Sequence, residues 1–287
     1  MKGSGKGRAF AMAVTLCIVA SSASGLFGEN LSNLLPAPVK AKGQITIGIN
    51  GIYPPMEFKN PGSDKLIGFD VDLATALGQA LGVKVVYDDQ KFDQLINSII
   101  TGRVDFVISG MSDTAKRRAT LDFVDYFLSG TVCYTTKAMA STYTSLESLS
   151  GKTLAVSAST DYYTTMQQWS KDNLESKGKA AIKMLGVDSE ATARLQMVQG
   201  RAQASAISPE VLGWLAKQEP GQFIGFGPIL NPDPYGMAFK KDNAQLRDAV
   251  FAAFKQLIAD GTYQKLLAKW ELSRSAVPQA LINGEKK

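Results

Sequence analysis

Apolar residues in the first half of the chain recur with the spacing of strands and of helices in turn. Gln44–Asn50 has an isoleucine at every second position, which predicts a strand. Residues 73–81 repeat apolar side chains at helical spacing, and Gly82 is expected to end that helix. The order continues with a strand at 83–87, a helix opened by Asp93 and a strand at 104–109. Strands and helices that alternate through short loops indicate a parallel α/β sheet.

A second module with the same pattern begins near residue 150. Its predicted strands are 151–156 and 204–207, and its predicted helices are 190–199 and a helix that starts at Pro209. Two C-terminal helices are predicted at 246–258 and 263–270. Ligands of parallel sheets bind beyond the carboxyl ends of the strands, so the loops that follow the strands are the candidate site.

The first 23 residues have the pattern of a secretory signal. Three basic residues precede the 12-residue apolar run Ala9–Ala20, and small residues follow at 21–23. The run is too short to span a bilayer and reads as a signal rather than a buried N-terminal helix. Cys17 does not follow a small residue, so no lipid anchor is expected. The sequence predicts a signal peptide at 1–23, a linker at 24–42 and a periplasmic or extracellular location.

Composition excludes several functions. Removing the predicted signal takes three basic residues and no acidic one, which lowers the net charge from +5 to +2 and leaves no field for nucleic acid. The chain has no histidine, the commonest general base and metal ligand. Cys133 would be the one thiol of the exported chain, is expected to be buried, and could form no intrachain disulfide. We expect no catalytic residue, no metal and no cofactor.

Five segments carry a family resemblance. They are ITIGINGIYPPMEF, LIGFDVDLATALGQALG, FDQLINSIITGRVDFVISGMSDTAKRRATLDF, LSGKTLAVSAST and DGTYQKLLAKW. In this order and spacing they resemble the bacterial polar amino acid-binding proteins, which are the extracytoplasmic receptors of ATP-driven importers. The likeness covers about residues 43–272 and includes similarity to the glutamine-, histidine- and lysine/arginine/ornithine-binding proteins.

The resemblance implies an α/β, two-lobed, periplasmic-binding-protein-like fold of type II. Each lobe is expected to hold a central, mainly parallel sheet flanked by helices, and a two-strand hinge near 130–134 and 235–237 is expected to join them. The implied boundaries are 43–129 with 237–272 for lobe 1, 133–232 for lobe 2, and 273–287 for a C-terminal tail.

The resemblance also implies a carboxylate subsite in lobe 1. Arg117 matches the arginine whose planar fork holds the ligand's carboxylate, and its alternative role is that of a solvated residue in a surface charge cluster. The matching hydrogen-bond donors are Ser109, Gly110 and Ser112.

Further ligand contacts are implied by the remaining matches. Tyr53 and Phe92 match aromatic positions that cover the ligand's stem, although Phe92 alone would be read as a core residue. In lobe 2 a polar turn matches the segment that closes over the ligand, where a helix cap is the alternative. Its residues are Ser157, Thr160 and Asp161.

Two positions depart from the family. Ser208 stands where many relatives carry an aspartate that neutralises the ligand's α-ammonium, and a buried ammonium without a partner is costly. Three explanations are open: Asp161 supplies the charge, the alignment is shifted so that Glu210 is involved, or the ligand lacks an α-ammonium. Asn50 replaces an aspartate found in relatives that bind cationic side chains, which favours a neutral ligand.

The predicted function is that of the substrate-binding protein of an ATP-binding-cassette importer. It would bind an amino acid or a related carboxylate, act as a monomer, and deliver the ligand to a membrane permease. The first alternative is a sensor or orphan binding protein. The second is an enzyme similar to the cyclohexadienyl dehydratases that act on prephenate or arogenate, and the last is an exported α/β protein with no small ligand.

Overall fold

The computed structural model describes residues 1–3 and 31–285, so the predicted signal lies almost wholly outside the described residues. The strands are β1 (Gln44–Ile49), β2 (Ile52–Tyr53), β3 (Glu57–Lys59), β4 (Leu66–Ile67), β5 (Lys84–Asp89), β6 (Phe106–Val107), β7 (Leu121–Leu128), β8 (Thr131–Thr136), β9 (Thr153–Ser157), β10 (Lys183–Val187), β11 (Ala204–Ile207), β12 (Phe223–Leu230), β13 (Pro234–Lys240) and β14 (Leu281–Ile282). The helices are α1 (Ala37–Lys42), α2 (Phe69–Leu81), α3 (Phe92–Ile100), α4 (Ala115–Arg118), α5 (Asp161–Asn173), α6 (Glu190–Val198), α7 (Pro209–Gln218), α8 (Ala244–Ala259) and α9 (Thr262–Lys269). Short 3-10 turns occupy Leu31–Leu34, Lys137–Met139, Leu146–Leu149, Glu175–Lys177 and Ser273–Ser275.

Two sheets define two lobes. The sheet of lobe 1 has the strand order β14-β7-β13-β6-β1-β5, and the sheet of lobe 2 has the order β10-β9-β11-β8-β12. A small sheet, β2-β3-β4, belongs to lobe 1. The two-lobed α/β architecture expected from the sequence is therefore confirmed.

Both large sheets are mixed, and the expectation of mainly parallel sheets is wrong. β1 pairs in parallel with β5 and β6, and β9 pairs in parallel with β10 and β11. The remaining pairs are antiparallel. The physical reason is that β7–β8 and β12–β13 run from one lobe into the other, so each enters its sheet against the βα units.

The longer helices bury one apolar face each. In α2, Leu73, Leu77 and Leu81 recur every four residues, and all three are buried in the core of lobe 1. They pack in that core with residues of α8 such as Phe254. The helix begins at Phe69 after Gly68, and no side chain caps it.

Two chain segments connect the lobes. Residues 129–130 join β7 to β8, and residues 231–233 join β12 to β13. The lobes also touch directly: the ring centroids of Phe58 in lobe 1 and Trp214 in lobe 2 are 5.4 Å apart. The two lobes are thus joined by two chain segments and also contact each other through these side chains.

The predicted linker contributes to lobe 1 from residue 31 onward. Leu35 and Val39 are buried in the core of lobe 1, and Val39 lies on α1. Pro36 precedes this helix and Gly43 ends it in a left-handed conformation, with a φ of 64°. Residues 31–42 of the predicted linker are therefore packed on lobe 1, whereas residues 24–30 lie outside the described part.

The segment after Leu272 is not a free tail over its whole length. Leu281–Ile282 forms β14, which pairs antiparallel with β7, and Asn283 Oδ1 accepts a hydrogen bond from Phe123 N at 2.8 Å. Val277 and Ile282 are buried in the core of lobe 1. The predicted tail therefore completes this lobe, because its apolar side chains cover one edge of the sheet.

Within the described residues, none of the helices is both long enough and apolar enough to span a membrane.

Replacing Ile282 with alanine tests the contribution of the C-terminal strand. Ile282 is 3% exposed, so Ile282→Ala is expected to lower the free energy of unfolding by about 2 kcal/mol or more in urea titrations. The matched control is Ile229→Ala, since Ile229 is 56% exposed and should change stability by less than about 0.5 kcal/mol. Equal effects of the two substitutions would contradict this assignment.

Candidate functional site

The loops at the carboxyl ends of the parallel strands meet across a cleft between the lobes. In lobe 1 these loops include residues 109–112 after β6, and in lobe 2 they include residues 158–160 after β9. Tyr53 on β2 reaches across the cleft, where its hydroxyl lies 2.8 Å from Oγ of Ser208, the residue that precedes α7. Tyr53 and Ser208, two of the residues predicted for the site, are therefore in contact between the lobes.

Four hydroxyl groups meet where Tyr53 reaches lobe 2, and we call Tyr53, Tyr162, Ser208 and Tyr235 the hydroxyl cluster. Tyr53 Oη lies 2.6 Å from Tyr162 Oη and 3.1 Å from Tyr235 Oη, and the last two are 2.8 Å apart. Tyr53 is half-buried and the other three are buried. Burial raises the pKa of all three tyrosines well above their ordinary value, so each remains a neutral donor and acceptor.

Two of the four residues of this cluster were predicted from the sequence as site residues. Tyr53 and Ser208 were candidate site residues, and the structure brings them together. Tyr162 and Tyr235 were missed as site residues. Tyr162 directly follows Asp161 in the predicted polar turn, which was the available signal, whereas nothing in the spacing separates Tyr235 from an ordinary core tyrosine.

Arg117 is held in place at one edge of its guanidinium group. Thr114 Oγ1 accepts a hydrogen bond from Arg117 N at 3.3 Å and so caps the one-turn helix α4. Arg117 Nη1 donates to the carbonyl oxygen of Ser112 at 2.9 Å, and its guanidinium carbon lies 5.7 Å from the centre of the Phe92 ring. Arg117 Nε and Nη2 donate to no other group in the described part of the chain, so they are available to an anion.

The three basic residues 116–118 have different environments. Arg118 Nε donates to Asp113 Oδ1 at 2.6 Å, and Lys116 is exposed. The Asp113 carboxyl beside Arg118 raises the pKa of that guanidinium. Arg117 is the member that packs against Phe92. The structure thus brings Arg117, Phe92 and Ser112 together, while their contact with a ligand stays a prediction.

Ser109 and Gly110 direct their donors into lobe 1. The Ser109 hydroxyl donates to Glu57 Oε1 at 2.7 Å and accepts from Asn50 N at 3.0 Å. Gly110 N donates to Asp70 Oδ2 at 2.9 Å. Both donors are used by buried carboxyl groups, so the ligand contacts predicted for Ser109 and Gly110 remain predictions that this geometry does not favour.

Glu57 and Asp70 form a buried pair of carboxyl groups beneath the binding loop. Burial raises the pKa of Asp70 to about 7, and burial together with the charge of Asp70 raises the pKa of Glu57 well above its ordinary value. Glu57 Oε2 and Asp70 Oδ1 have no hydrogen-bond partner among the described residues. A proton on Glu57 supplies the missing donor, so the pair holds at least one proton near neutral pH.

Gly110 has a second structural role beside Tyr53. Its φ of 48° lies in the left-handed region, and a Cβ there would be 3.0 Å from Cε1 of Tyr53. A larger residue would therefore push Tyr53 away from the hydroxyl cluster. Asn50 lies beside Ser109, and its Nδ2 donates to the carbonyl oxygen of Gln90 at 2.8 Å. Its contact with a ligand stays a prediction.

The polar turn of lobe 2 is compact. Thr160 Oγ1 donates to the carbonyl oxygen of Ser157 at 2.8 Å, and Ser157 Oγ lies 3.4 Å from Ser159 Oγ. Thr160 is the N-cap residue of α5, but its side chain makes no capping hydrogen bond. The first N–H groups of α5 are thus not capped by a side chain. Asp161 is half-buried in the first turn of this helix.

A surface groove lies elsewhere on lobe 2. It has a volume of about 590 Å³ and is at the end of β8 remote from Ser129, lined by Thr136, Met139, Val198 and Phe223 among others. The only charged side chain in its lining is that of Lys137. We therefore assign the candidate site to the cleft, where Arg117 and the hydroxyl cluster provide fixed polar groups.

The comparisons with known proteins agree with this fold. Residues 45–273 match the bacterial extracellular solute-binding proteins, family 3, and the chain belongs to this family. It is 30% identical to the arginine-binding protein ArgT of Corynebacterium glutamicum over 250 residues, covering 87% of this chain and 81% of ArgT. The resemblance drawn from the sequence is therefore confirmed.

Two solved structures show the same architecture. A mutant of ArgBP from T. maritima shares 30% identity with a TM-score of 0.72 and is matched over 82% of this chain and 97% of its own. The ancestral amino acid-binding protein AncCDT-1, a precursor of cyclohexadienyl dehydratase, shares 32% identity with a TM-score of 0.70. That match covers 81% of this chain and 97% of AncCDT-1.

The shared proton predicts a specific pH dependence of stability. Because the folded state binds protons that the unfolded chain has released, the pair's contribution to stability is greatest below the ordinary carboxyl pKa near 4 and declines as pH rises toward about 7. In Asp70→Asn the free energy of unfolding should decline less between pH 5 and pH 8. One proton bound by the folded state alone changes this free energy by up to about 1.4 kcal/mol per pH unit. Urea titrations at several pH values measure the difference.

The control for this prediction is Asp93→Asn, which replaces an exposed aspartate of lobe 1. Its pH dependence should follow that of the unaltered protein. If Asp70→Asn also gives a parallel curve, the buried pair does not hold the proton.

Proposed function

We propose that the protein binds an amino acid, or a closely related carboxylate, between its lobes and delivers it to the membrane permease of an ATP-binding-cassette importer. The observation that carries the proposal is Arg117, whose guanidinium is fixed by Ser112 and Phe92 and keeps donors available. A fixed planar cation of this kind suits a carboxylate, which it can bind through two parallel hydrogen bonds. Membership of the solute-binding family and the names of the similar proteins support the same ligand class.

Closure of the lobes is the proposed means of ligand capture. The connecting segments 129–130 and 231–233 act as a hinge, and a ligand that contacts both lobes favours the closed form because only that form offers both sets of contacts. Tyr53 and Phe92 cover the ligand from lobe 1. The turn with Ser157, Thr160 and Asp161 covers it from lobe 2. The permease then recognises the closed protein.

A neutral side chain is proposed for the ligand. Asn50 has a neutral amide, so it offers no negative charge to a cationic side chain. Its amide nitrogen donates to the carbonyl oxygen of Gln90. The arginine-binding relatives differ from this chain at many positions, since they are 30% identical. We further propose that a signal peptide at 1–23 directs the monomeric protein out of the cytoplasm.

Binding rather than catalysis is proposed. The protonated carboxyl group inferred at Glu57 faces Ser109 beneath the binding loop and is 1% exposed, so it is not placed to transfer a proton to a ligand in the cleft. The first test for an enzyme is incubation with prephenate. Formation of a product would contradict the proposal.

A thermal-shift screen tests the ligand class. The protein without its first 23 residues is mixed with each common amino acid and with carboxylates that lack an α-amine. A ligand at 100 times its dissociation constant should stabilise the fold by about 2.7 kcal/mol and raise the midpoint by a few degrees. The absence of any shift across both groups would contradict binding of this ligand class.

Substituting Arg117 tests the carboxylate subsite. Arg117→Ala should weaken binding of the strongest ligand from that screen more than a hundredfold, because an unpaired buried carboxylate costs about 3–5 kcal/mol. Lys116→Ala removes an exposed neighbour of the same charge and should leave affinity unchanged. Calorimetric titration measures both variants, and unaltered affinity in Arg117→Ala would rule out the assigned subsite.

A further inference from the structure

Helix α7 of lobe 2 presents two different faces. Its buried residues are Val211 and Leu215, and the helix packs on β8 and β12 of its own lobe. Glu210, Trp214 and Lys217 are spaced by four and then three residues, so they share another face of the helix. The side chains of Trp214 and Lys217 both contact lobe 1. Helix α7 therefore belongs to the core of lobe 2 on one side and docks on lobe 1 on the other.

Three aromatic rings form a row from lobe 1 to lobe 2, and we call Trp270, Phe58 and Trp214 the aromatic trio. The ring centroids of Trp270 and Phe58 are 6.0 Å apart with the planes at 81°, and those of Phe58 and Trp214 are 5.4 Å apart. Trp270 Nε1 donates to Asp72 Oδ2 at 2.7 Å, which fixes the lobe 1 end of the row. Rings at these distances and angles attract each other beyond the effect of their buried area.

An ion pair crosses between the lobes beside the trio. Lys217 Nζ contacts Glu271 Oε2, and both residues are exposed. Glu271 directly follows Trp270 and has a φ of 60°, in the left-handed region that favours glycine where a chain leaves a helix. A glutamate here carries a backbone cost that glycine would not, and its carboxyl group provides the contact with lobe 2.

These contacts lie away from the candidate ligand site. Helix α7 begins beside Ser208, whose hydroxyl contacts Tyr53 in the cleft. At a rise of about 1.5 Å per residue, Trp214 lies about 9 Å and Lys217 about 14 Å further along the helix axis. The site residues predicted from the sequence include neither of them. A contact between the lobes that does not involve the ligand acts whether or not a ligand is bound.

We propose that the aromatic trio and the Lys217–Glu271 pair form a latch, which favours contact between the lobes without a ligand and slows the release of a bound one. The apparent dissociation constant is the intrinsic constant divided by the fraction of protein in the binding-competent form. A latch that raises this fraction tightens binding without touching the ligand. The effect on binding rests on the proposed function, whereas the effect on the lobes does not.

Small-angle X-ray scattering without any added amino acid tests the effect on the lobes. Trp214→Ala should increase the radius of gyration, because it removes the ring of lobe 2 that Phe58 contacts. The matched control is Trp169→Ala, since Trp169 packs against the core of its own lobe and should leave the radius unchanged. Circular dichroism checks that both variants are folded. An unchanged radius in Trp214→Ala, or an equal increase in the two variants, would overturn the latch.

Binding of the common L-amino acids tests the effect on affinity. Trp214→Ala should weaken binding of every amino acid that binds the unaltered protein by about 5- to 20-fold, chiefly through faster dissociation. The factor should be the same for each of them, because the latch contacts no ligand. Calorimetry and stopped-flow fluorescence measure the constants and the rates. A loss confined to one amino acid would assign Trp214 to the ligand site and overturn the latch.

Charge reversal tests the ion pair without removing a packed side chain. Lys217→Glu places two acids opposite each other and should weaken binding about 2- to 5-fold at low ionic strength. Adding Glu271→Lys should restore both the affinity and the radius of gyration, which a misfolded protein could not do. If the double variant is folded and shows no recovery, the part of the ion pair in the latch is overturned.

The outcomes separate the latch from the proposed function. If no amino acid binds the unaltered protein, the proposed function fails for amino acids, and the scattering comparison alone decides the latch. The hydroxyl cluster is the competing contact between the lobes, because Tyr53 reaches Ser208 there. If Tyr53→Phe increases the radius without a ligand and Trp214→Ala does not, that cluster holds the lobes together and the latch is overturned.

Discussion

The hydroxyl of Tyr53 makes hydrogen bonds to Tyr162 and Ser208 across the cleft, and the arrangement of the candidate site depends on them. Tyr53 can reach lobe 2 because Gly110 has no side chain to displace its ring. Gly110 in turn is held by Asp70, which shares a proton with Glu57 in our interpretation. A buried acid, a left-handed glycine and a tyrosine thus form one series of contacts from the core of lobe 1 to lobe 2.

The polar groups along the cleft are arranged by charge. Arg117 offers a fixed cation, whereas the hydroxyl cluster is neutral. Such a distribution suits a small carboxylate, because its charge meets a fixed group of opposite sign and its other polar groups can bond to neutral hydroxyls. Neutral hydroxyls also let the lobes meet without ligand, since no two like charges face each other in the cluster.

Much of the fold follows from the sequence. The alternation of Gln44–Ile49, the helical spacing of α2 and Pro209 at the start of α7 located their elements correctly, because apolar periodicity and end signals are local properties. The sheets were less predictable, since the direction of β7 and β13 depends on which lobe each strand enters. The packing of residues 31–42 and 273–285 was less predictable, because the burial of Leu35 and Ile282 depends on distant parts of the chain.

The site was predictable to the extent that it follows motifs. Arg117, Phe92 and Ser112 came together as the resemblance implied, whereas Ser109 and Gly110 proved to donate inward to acids that look like ordinary helix and strand residues in the sequence. Tyr162 and Tyr235 come from segments 73 residues apart, and no local pattern signals that their hydroxyls lie 2.8 Å from each other. Side-chain hydrogen bonds between lobes are set by the tertiary arrangement.

A crystal structure of the protein with a bound amino acid tests the central claim most directly. The account predicts a ligand between the lobes, with its carboxylate hydrogen-bonded to the guanidinium of Arg117. A ligand in the groove beside Phe223, or one in the cleft that leaves Arg117 without contact, would contradict it.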